Sequence, residues 1–284
     1  MEFEELIMAE AVNRESNRGL FWTTLVIVYA AIMLFPIFWM ASMMVKPNEA
    51  MFARPTQWLF VPTLDHFSYV IEQGFHWSLL TSFVLCTVST ALVVIIGTPA
   101  AYAFARFEMK GKDDLFLFIL GSRMAPPVCL VIPFYLIYAK VGLLDSFLGL
   151  TLAYMTFNLS FYVWVLRSFC RDLPVELEEA AALEGWSKPQ IFRRVVFPLL
   201  RNGIVATSVL CFIFAWNEFL FAFMLGGKSV TTLPVSIPKL ITSQGVRWGE
   251  MAVVGMTALL PVLAVVFVLQ RHIVRGLTLG AVKG

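Results

Sequence analysis

The chain has 284 residues, of which 59% are hydrophobic and 14% are charged. Because an average soluble domain carries about 25% charged residues, this excess of apolar side chains indicates burial in lipid. The net charge of +2 gives no indication of nucleic-acid binding. The four cysteines lie far apart without a CxxC pair, so we expect small apolar side chains rather than metal or redox sites.

Six uncharged runs divide the sequence. A helix needs about 20 residues to cross a bilayer, and four of the runs reach that length alone. The third run reaches it only by extending backward through Leu115–Ser122 and including Arg123. The fifth reaches it only by extending forward through Phe219–Gly227 and including Glu218. The runs are Gly19–Val45, Trp77–Ala105, Met124–Ala139, Ser146–Leu166, Asn202–Asn217 and Met251–Gln270.

The sequence therefore predicts an all-α, polytopic membrane protein with six transmembrane helices. We expect one transmembrane domain, residues 20–270, that includes a charged loop at residues 171–200. An N-terminal tail, residues 1–19, and a C-terminal tail, residues 271–284, flank it. In the first tail, apolar residues at helical spacing indicate either a short helix on the membrane surface or a solvated tail.

Basic residues are unevenly distributed between the two sets of loops. The N-terminus, the second loop, the fourth loop and the C-terminus hold fourteen of the 21 lysines and arginines, and the other loops hold six. Since cytoplasmic loops are enriched in lysine and arginine, we expect both termini and the segment Leu173–Leu200 to face the cytoplasm.

The segment Leu173–Leu200 predicts two short helices joined by a tight turn. Pro174 suits a first helical turn, where its missing N–H does no harm. Glu178 and Glu179 would lie near the positive end of the helix dipole. Gly185 can adopt the left-handed conformation that commonly ends a helix.

A second helix is predicted from Lys188 to about Phe197. It begins with the sequence SKPQ, a capping box in which Ser187 and Gln190 each bind the other's backbone amide. Pro198 limits how far this helix can run.

Three alanines, Ala180–Ala182, make the first of these helices a candidate docking surface. Small side chains let another backbone approach closely, and flanking carboxylates can pair with basic groups of a partner. The alternative is an amphipathic hairpin lying on the inner leaflet. A DNA-binding helix-turn-helix is disfavoured, because the first helix is acidic and lies between membrane spans.

The sequence EAAALEG, Glu179–Gly185, followed by VVFP, Val195–Pro198, resembles the EAA signature of permease subunits in bacterial binding-protein-dependent ABC importers. The spacing is met throughout, with Val195 in place of the usual isoleucine and Phe197 in place of leucine. The sequence FAWNEFLFAF in the fifth span and the ending RHIVRGLTLGAVKG resemble the carbohydrate branch of that family, specifically its maltose-permease-like subunit with six spans.

This resemblance implies that the segment is a coupling helix docked in a cleft of an ATP-binding subunit. Glu179 would form an ion pair with a basic residue there, and Gly185 would make the turn. Ala180 and Ala181 would allow close docking. The implied ATPase-coupling residues are Glu178, Glu179, Ala180, Ala181, Leu183 and Gly185.

The resemblance also implies a set of partners. They are a second, homologous permease subunit that completes the pore as a heterodimer, two copies of an ABC ATPase subunit, and a periplasmic or extracellular solute-binding protein. ATP and Mg²⁺ would be held by the ATPase subunits. This chain would be a pore-forming subunit for a sugar or polyol-like solute in the bacterial cytoplasmic membrane, neither an enzyme nor a nucleic-acid-binding protein.

Polar and aromatic residues inside the spans are candidates for the solute pathway. Charges at such depth cost on the order of 3 kcal/mol each, so they normally face the bundle interior. Such groups could offer hydrogen bonds and stacking surfaces to a hydroxylated solute, or they could join helices and meet a partner subunit. The candidates are Arg123, Tyr154, Asn158, Trp216, Asn217 and Glu218.

The principal alternative is a secondary transporter driven by an ion gradient. That class predicts an inverted repeat and buried acidic residues for ion coupling. The spans contain one deep carboxylate, Glu218, and no evident repeat. The sequence AFMLGGKS, Ala222–Ser229, lacks the first glycine of a P-loop, so the energy of an ATP-driven system would come from another chain.

Overall fold

The computed structural model describes the backbone of residues 2–279 and the side chains of residues 19–270. In chain order the helices are α1 (Glu2–Val45), α2 (Asn48–Met51), α3 (Asp65–Glu72), α4 (Phe75–Arg106), α5 (Lys112–Met124), α6 (Pro127–Val141), α7 (Phe147–Asp172), α8 (Glu176–Leu183), α9 (Lys188–Ile191), α10 (Phe197–Trp216), α11 (Leu220–Leu225), α12 (Leu233–Ser236) and α13 (Trp248–Leu279). A π turn (Phe192–Val196) joins α9 to α10, and a 3₁₀ turn (Ile237–Leu240) follows α12. Strands β1 (Ile241–Thr242) and β2 (Gly245–Val246) pair before α13.

Within the described residues, five helical segments are long and apolar enough to cross a membrane, and the bent pair α5–α6 provides a sixth. This pattern confirms the predicted all-α, six-span architecture. The backbone of the predicted N-terminal tail is helical and continuous with the first span. The side chains of both tails lie outside the described residues. The five segments are Gly19–Val45, Phe75–Arg106, Phe147–Asp172, Lys188–Trp216 and Trp248–Gln270.

The third span is broken, although we predicted one helix running through Arg123. α5 and α6 meet at an angle of 98°. Between them Ala125 (φ −66°, ψ 134°) and Pro126 (φ −56°, ψ 127°) are extended. Each of these two residues precedes a proline, whose ring disfavours the helical conformation of the residue before it. The two consecutive prolines therefore divide the predicted span into two shorter helices.

The fifth span extends in the opposite direction from the one predicted. Instead of continuing past Glu218, the helix ends at Trp216, and the apolar span reaches back to Lys188. The π turn carries the helix past Pro198, with Phe197 N donating to the carbonyl of the residue five positions earlier. A wider turn gives room to the proline ring, which in an α-helix would clash with the carbonyl four residues before it. The second predicted helix is thus continuous with the span.

The chain divides into two compact units, residues 1–70 with 246–256 and residues 71–245 with 257–284. In the first unit Glu250 is 5% exposed. Its carboxylate lies 3.5 Å from His66 Nδ1 and 3.2 Å from Arg247 Nη1. These contacts bind the start of α13 to α3.

In the second unit, α4, α7 and α10 pack against one another. Gly97 lies so close to Tyr162 that a β-carbon there would be 2.5 Å from the ring. The hydroxyls of Thr98 and Tyr162 form a hydrogen bond of 2.8 Å. These contacts fix α4 on α7. Three of the free cysteines are buried among the helices, as the sequence predicted for small apolar side chains: Cys86, Cys170 and Cys211.

Candidate functional site

The first feature of the site is the hairpin made by α8, the turn after it and α9, residues 176–191, which we call the knuckle. α8 ends in a Schellman motif, in which Trp186 N donates to Ala181 O (3.1 Å) and Gly185 N donates to Ala182 O (3.0 Å). Gly185 has a φ of +84°, which glycine adopts without steric penalty. The turn predicted at this glycine is present.

The second helix of the knuckle begins where the capping sequence predicted it. Gln190 Oε1 accepts hydrogen bonds from Ser187 N (2.8 Å) and Ser187 Oγ (2.9 Å). Lys188 Nζ lies 4.9 Å from the centroid of the Phe107 ring, a cation–π distance. This contact attaches the start of α9 to the residue that follows α4.

The outer face of α8 carries three of the six predicted coupling residues. Glu179, Ala180 and Leu183 are exposed, and Leu183 is 91% exposed. Glu179 has no ion-pair partner among the described side chains. Ala181, which we grouped with Ala180 as a docking residue, is instead 8% exposed and belongs to the protein's own core. Its methyl group is therefore turned away from any visiting protein.

Glu178 lies on the inner face of α8 and is fully engaged within the chain. Arg106 Nε donates to Glu178 Oε1 at 2.6 Å, and Tyr102 Oη donates to Glu178 Oε2 at 2.6 Å. Arg106 Nη2 also donates to Leu173 O at 2.7 Å. We call Tyr102, Arg106 and Glu178 the clasp. It holds α8 against the end of α4, so the carboxylate of Glu178 is not free to pair with a partner protein.

The second feature is a cavity of about 260 Å³ at the break between α5 and α6. Arg123, the last basic residue of α5, lines this cavity. The guanidinium donates to Phe157 O at 3.1 Å and lies 4.7 Å from the Phe161 centroid and 4.9 Å from the Phe214 centroid. The two rings and the carbonyl thus stabilise a charge at membrane depth.

Three more of the predicted pathway residues line the same cavity. Tyr154 Oη donates to Glu218 O at 3.3 Å, and Asn158 Nδ2 donates to Cys211 O at 3.2 Å. Glu218 Oε1 accepts from Phe221 N at 3.0 Å, which caps the first turn of α11. The second oxygen of this carboxylate carries no described hydrogen bond, so it can accept one from a polar guest.

Two predicted pathway residues lie outside the cavity. Trp216 is 5% exposed, stacks on Phe212 and donates its indole N–H to Ala258 O at 3.1 Å. Asn217 is exposed and donates to Ile213 O at 2.8 Å on its own helix. Both residues lie at the C-terminal end of α10, and neither lines the space between α5, α6 and α7.

The sequence reasoning missed the partners of Glu178. In the sequence, Arg106 counts only as one of the basic residues that predict the orientation of the loops. Nothing there singles out Tyr102. Their pairing with Glu178 bridges more than 70 positions of sequence. The available signal is weak: a basic residue at the end of a span, and a second glutamate before that of the EAA signature.

Comparisons with known proteins place this geometry in a family. Residues 97–279 match the sequence model of the binding-protein-dependent transport system inner membrane component. The trehalose transport system permease protein SugB of Mycobacterium tuberculosis (strain CDC 1551 / Oshkosh) is 35% identical over 279 residues, 95% of this chain and 99% of SugB. The diacetylchitobiose uptake system permease protein DasC of Streptomyces coelicolor is 33% identical over 275 residues, 95% of this chain and 100% of DasC.

Solved structures agree on the fold. A chain from a bacterial ABC transporter involved in the import of the acidic polysaccharide alginate superposes with a TM-score of 0.73 at 22% identity. The match covers 89% of this chain and 95% of that one. The family match extends from α4 to the end of α13 and includes both features of the site. The chain therefore belongs to the family of binding-protein-dependent transport system inner membrane components.

Proposed function

We propose that this chain is the pore-forming permease subunit of an ATP-driven importer for a sugar, a polyol or a sugar derivative. The names of the relatives, a trehalose permease and a diacetylchitobiose permease, support a carbohydrate cargo. The chain would lie in the bacterial cytoplasmic membrane with both termini in the cytoplasm. The distribution of basic residues between the loops supports this orientation.

The knuckle is the coupling element in this proposal. The observation that carries it is the division of α8 into two faces: Glu178 and Ala181 are bound within the chain, whereas Glu179, Ala180 and Leu183 are exposed. The turn at Gly185 and the pairing of Ser187 with Gln190 fix the shape of this outer face from within the knuckle, and a surface of fixed shape loses little conformational entropy on docking. We infer that this outer face enters a cleft of an ATPase subunit, where Glu179 meets a basic side chain.

The remaining partners follow from the same assignment. A second permease subunit would complete the pore, two ATPase subunits would hold ATP and Mg²⁺, and an external solute-binding protein would deliver the cargo. The cavity volume of about 260 Å³ supports a shared pathway. It lies below the roughly 300–1,000 Å³ typical of a complete ligand pocket, so this chain alone provides part of a site.

The test exchanges the charge on the outer face of α8. In the purified complex with its ATPase and second permease, Glu179→Lys places like charges together at the proposed contact. We expect association with the ATPase and ATP-driven solute uptake to fall at least tenfold, because a like-charge contact at an interface opposes binding by several kcal/mol. Pull-down of the ATPase and uptake into vesicles measure the two quantities.

A matched control is Glu108→Lys, which makes the same charge change at an exposed residue outside the knuckle. The control protein should insert and bind the ATPase as the unmodified chain does. If Glu179→Lys leaves both association and uptake at the control level, the coupling role of this face is refuted.

A further inference from the structure

The end of α4 contacts both helices of the knuckle. The docking role proposed for the exposed face of α8 does not account for these contacts. The clasp joins it to α8, with the Arg106 and Glu178 side chains each 13% exposed. The Tyr102 ring lies 5.2 Å from that of Phe192, the first residue after α9. Lys188 contacts Phe107. The knuckle therefore rests on α4, which is distant in sequence, at several independent points.

The clasp is built for strength. One carboxylate accepts two hydrogen bonds of 2.6 Å, one at each oxygen. Hydrogen bonds to a charged acceptor are shorter and about twice as strong as neutral ones, and shielding from water strengthens them further. The same guanidinium reaches Leu173 O, at the chain link between α7 and α8. Three segments thus meet at Arg106.

Non-helical links join α8 to the rest of the chain on both sides. Toward α7 the chain passes through residues 173–175, which are not helical. Toward α10 it passes through the non-helical turn at residues 184–187, after which α9 continues through the π turn into α10. Either link can bend when α8 is displaced. A push on α8 therefore reaches the bundle more directly through α4.

We propose that Tyr102, Arg106 and Glu178 are positioning residues that make α8 and α4 move as one body, so that displacement of the docked knuckle is carried into α4. From there the hydrogen bond between Thr98 and Tyr162 passes the movement to α7. This inference rests on the proposed function, because it requires α8 to be docked on an ATPase. In this inference Glu178 transmits the movement of α8 to α4, whereas Glu179 contacts the ATPase.

The experiment compares variants of the clasp in the reconstituted complex. Glu178→Gln keeps the shape of the side chain and removes its charge, Arg106→Met removes the donor, and Tyr102→Phe removes one hydroxyl. We expect ATPase association and basal ATP hydrolysis to stay unchanged. Solute uptake per ATP hydrolysed should fall about tenfold for the first two variants, within the usual range of a coupling free energy, and less for the third.

A matched control and an exchange complete the test. Glu176→Gln alters an exposed carboxylate on the same helix and should leave the uptake per ATP unchanged. The double exchange R106E with E178R restores an ion pair of reversed polarity. It should recover part of the uptake that either single exchange loses, a result that a general loss of packing does not produce.

The outcomes separate this inference from the proposed function. Unchanged uptake per ATP in Glu178→Gln and Arg106→Met overturns the transmission role and leaves docking intact. Loss of ATPase association in Glu178→Gln, without rescue by the double exchange, makes the clasp a support for docking and also overturns it. Failure of the docking role itself appears in Glu179→Lys, whose association with the ATPase would then be normal.

Discussion

The knuckle and the break between α5 and α6 are both irregular, but different interactions shape them. Residues of the knuckle itself fix its ends, through the Schellman turn at Gly185 and the pairing of Ser187 with Gln190. The break is opened by Pro126 and Pro127, yet its cavity is shaped by residues of distant helices. A segment held by its own sequence keeps its shape in contact with another protein, as the proposed docking requires. A cavity held by several helices changes when those helices move, as the proposed solute pathway requires.

The largest effect is expected from a substitution that removes the left-handed glycine on which the shape of the knuckle depends. Gly185→Val forces a β-branched residue to a φ of +84°, with strain of order 1–3 kcal/mol. We expect ATP-driven uptake to fall more than tenfold, because the turn that ends α8 no longer fixes the position of its outer face. Uptake into vesicles and pull-down of the ATPase measure the effect.

Gly142→Val is the matched control for this strain. Gly142 has a φ of +72° and, like Gly185, has open space around the position of a β-carbon. The two substitutions therefore add similar backbone strain, one inside the knuckle and the other after α6. Equal losses of ATPase association in both variants would mean that general destabilisation, rather than the shape of the knuckle, accounts for the result.

The second prediction changes the break. Pro126→Ala combined with Pro127→Ala removes two residues that each disfavour a helix interior by about 3 kcal/mol. We expect α5 and α6 to straighten toward one helix and solute uptake to fall several-fold, with ATPase association unchanged. Pro133→Ala, inside α6, is the control and should transport normally. Normal uptake in the double variant would show that the bend has no role in transport.

The difference between the two regions also explains what the sequence could predict. The knuckle is local: a left-handed glycine and a capping pair act within a few residues, so both were found. Pro126 and Pro127 mark an interruption of the apolar run in the sequence, but hydropathy still counts that run as one span and does not give the 98° bend. Hydropathy likewise extended the fifth span past Glu218, whereas the π turn before Pro198 lets it extend backward.

Contacts between distant residues account for the other misses. Arg123, Asn158 and Glu218 are predicted as polar groups of the pathway and Tyr154 as an aromatic neighbour, and all four line one cavity. Asn217 shares that pattern yet bonds to its own helix, because α10 ends beside it. The spacing of residues along a sequence indicates on which face of a helix a residue lies, but only as far as that helix continues. The hydropathy pattern does not mark where that helix ends.

The third prediction tests the cavity itself. Glu218→Gln keeps an oxygen for Phe221 N but removes the charge that can accept from a solute hydroxyl. We expect the solute concentration for half-maximal uptake to rise about fivefold, as for the loss of roughly one hydrogen bond, with assembly unchanged. Asn217→Ala is the neighbouring control outside the cavity. Equal shifts in both variants, or dissociation of the complex, would assign Glu218 a structural role.

The smallest effect concerns the far end of α6, where a single side chain combines local and distant interactions. Asp145 follows α6 with a φ of +50°. Its carboxylate accepts hydrogen bonds from Ser229 N (3.0 and 3.1 Å) and Val230 N (2.9 Å). These amide donors, Ser229 first, lower the pKa of Asp145 below its usual range.

A lowered pKa in the folded state stabilises the fold above the unfolded pKa of about 4, and this contribution disappears as pH falls through the folded value. Asp145→Asn should therefore lower the Tm of the purified protein by about 1–2 °C at pH 7, and the difference should shrink toward acid pH. Lys228→Gln, an exposed change in the same loop, should show no such pH dependence. A Tm difference that stays constant with pH would mean that the side-chain shape at position 145, rather than its charge, accounts for the effect.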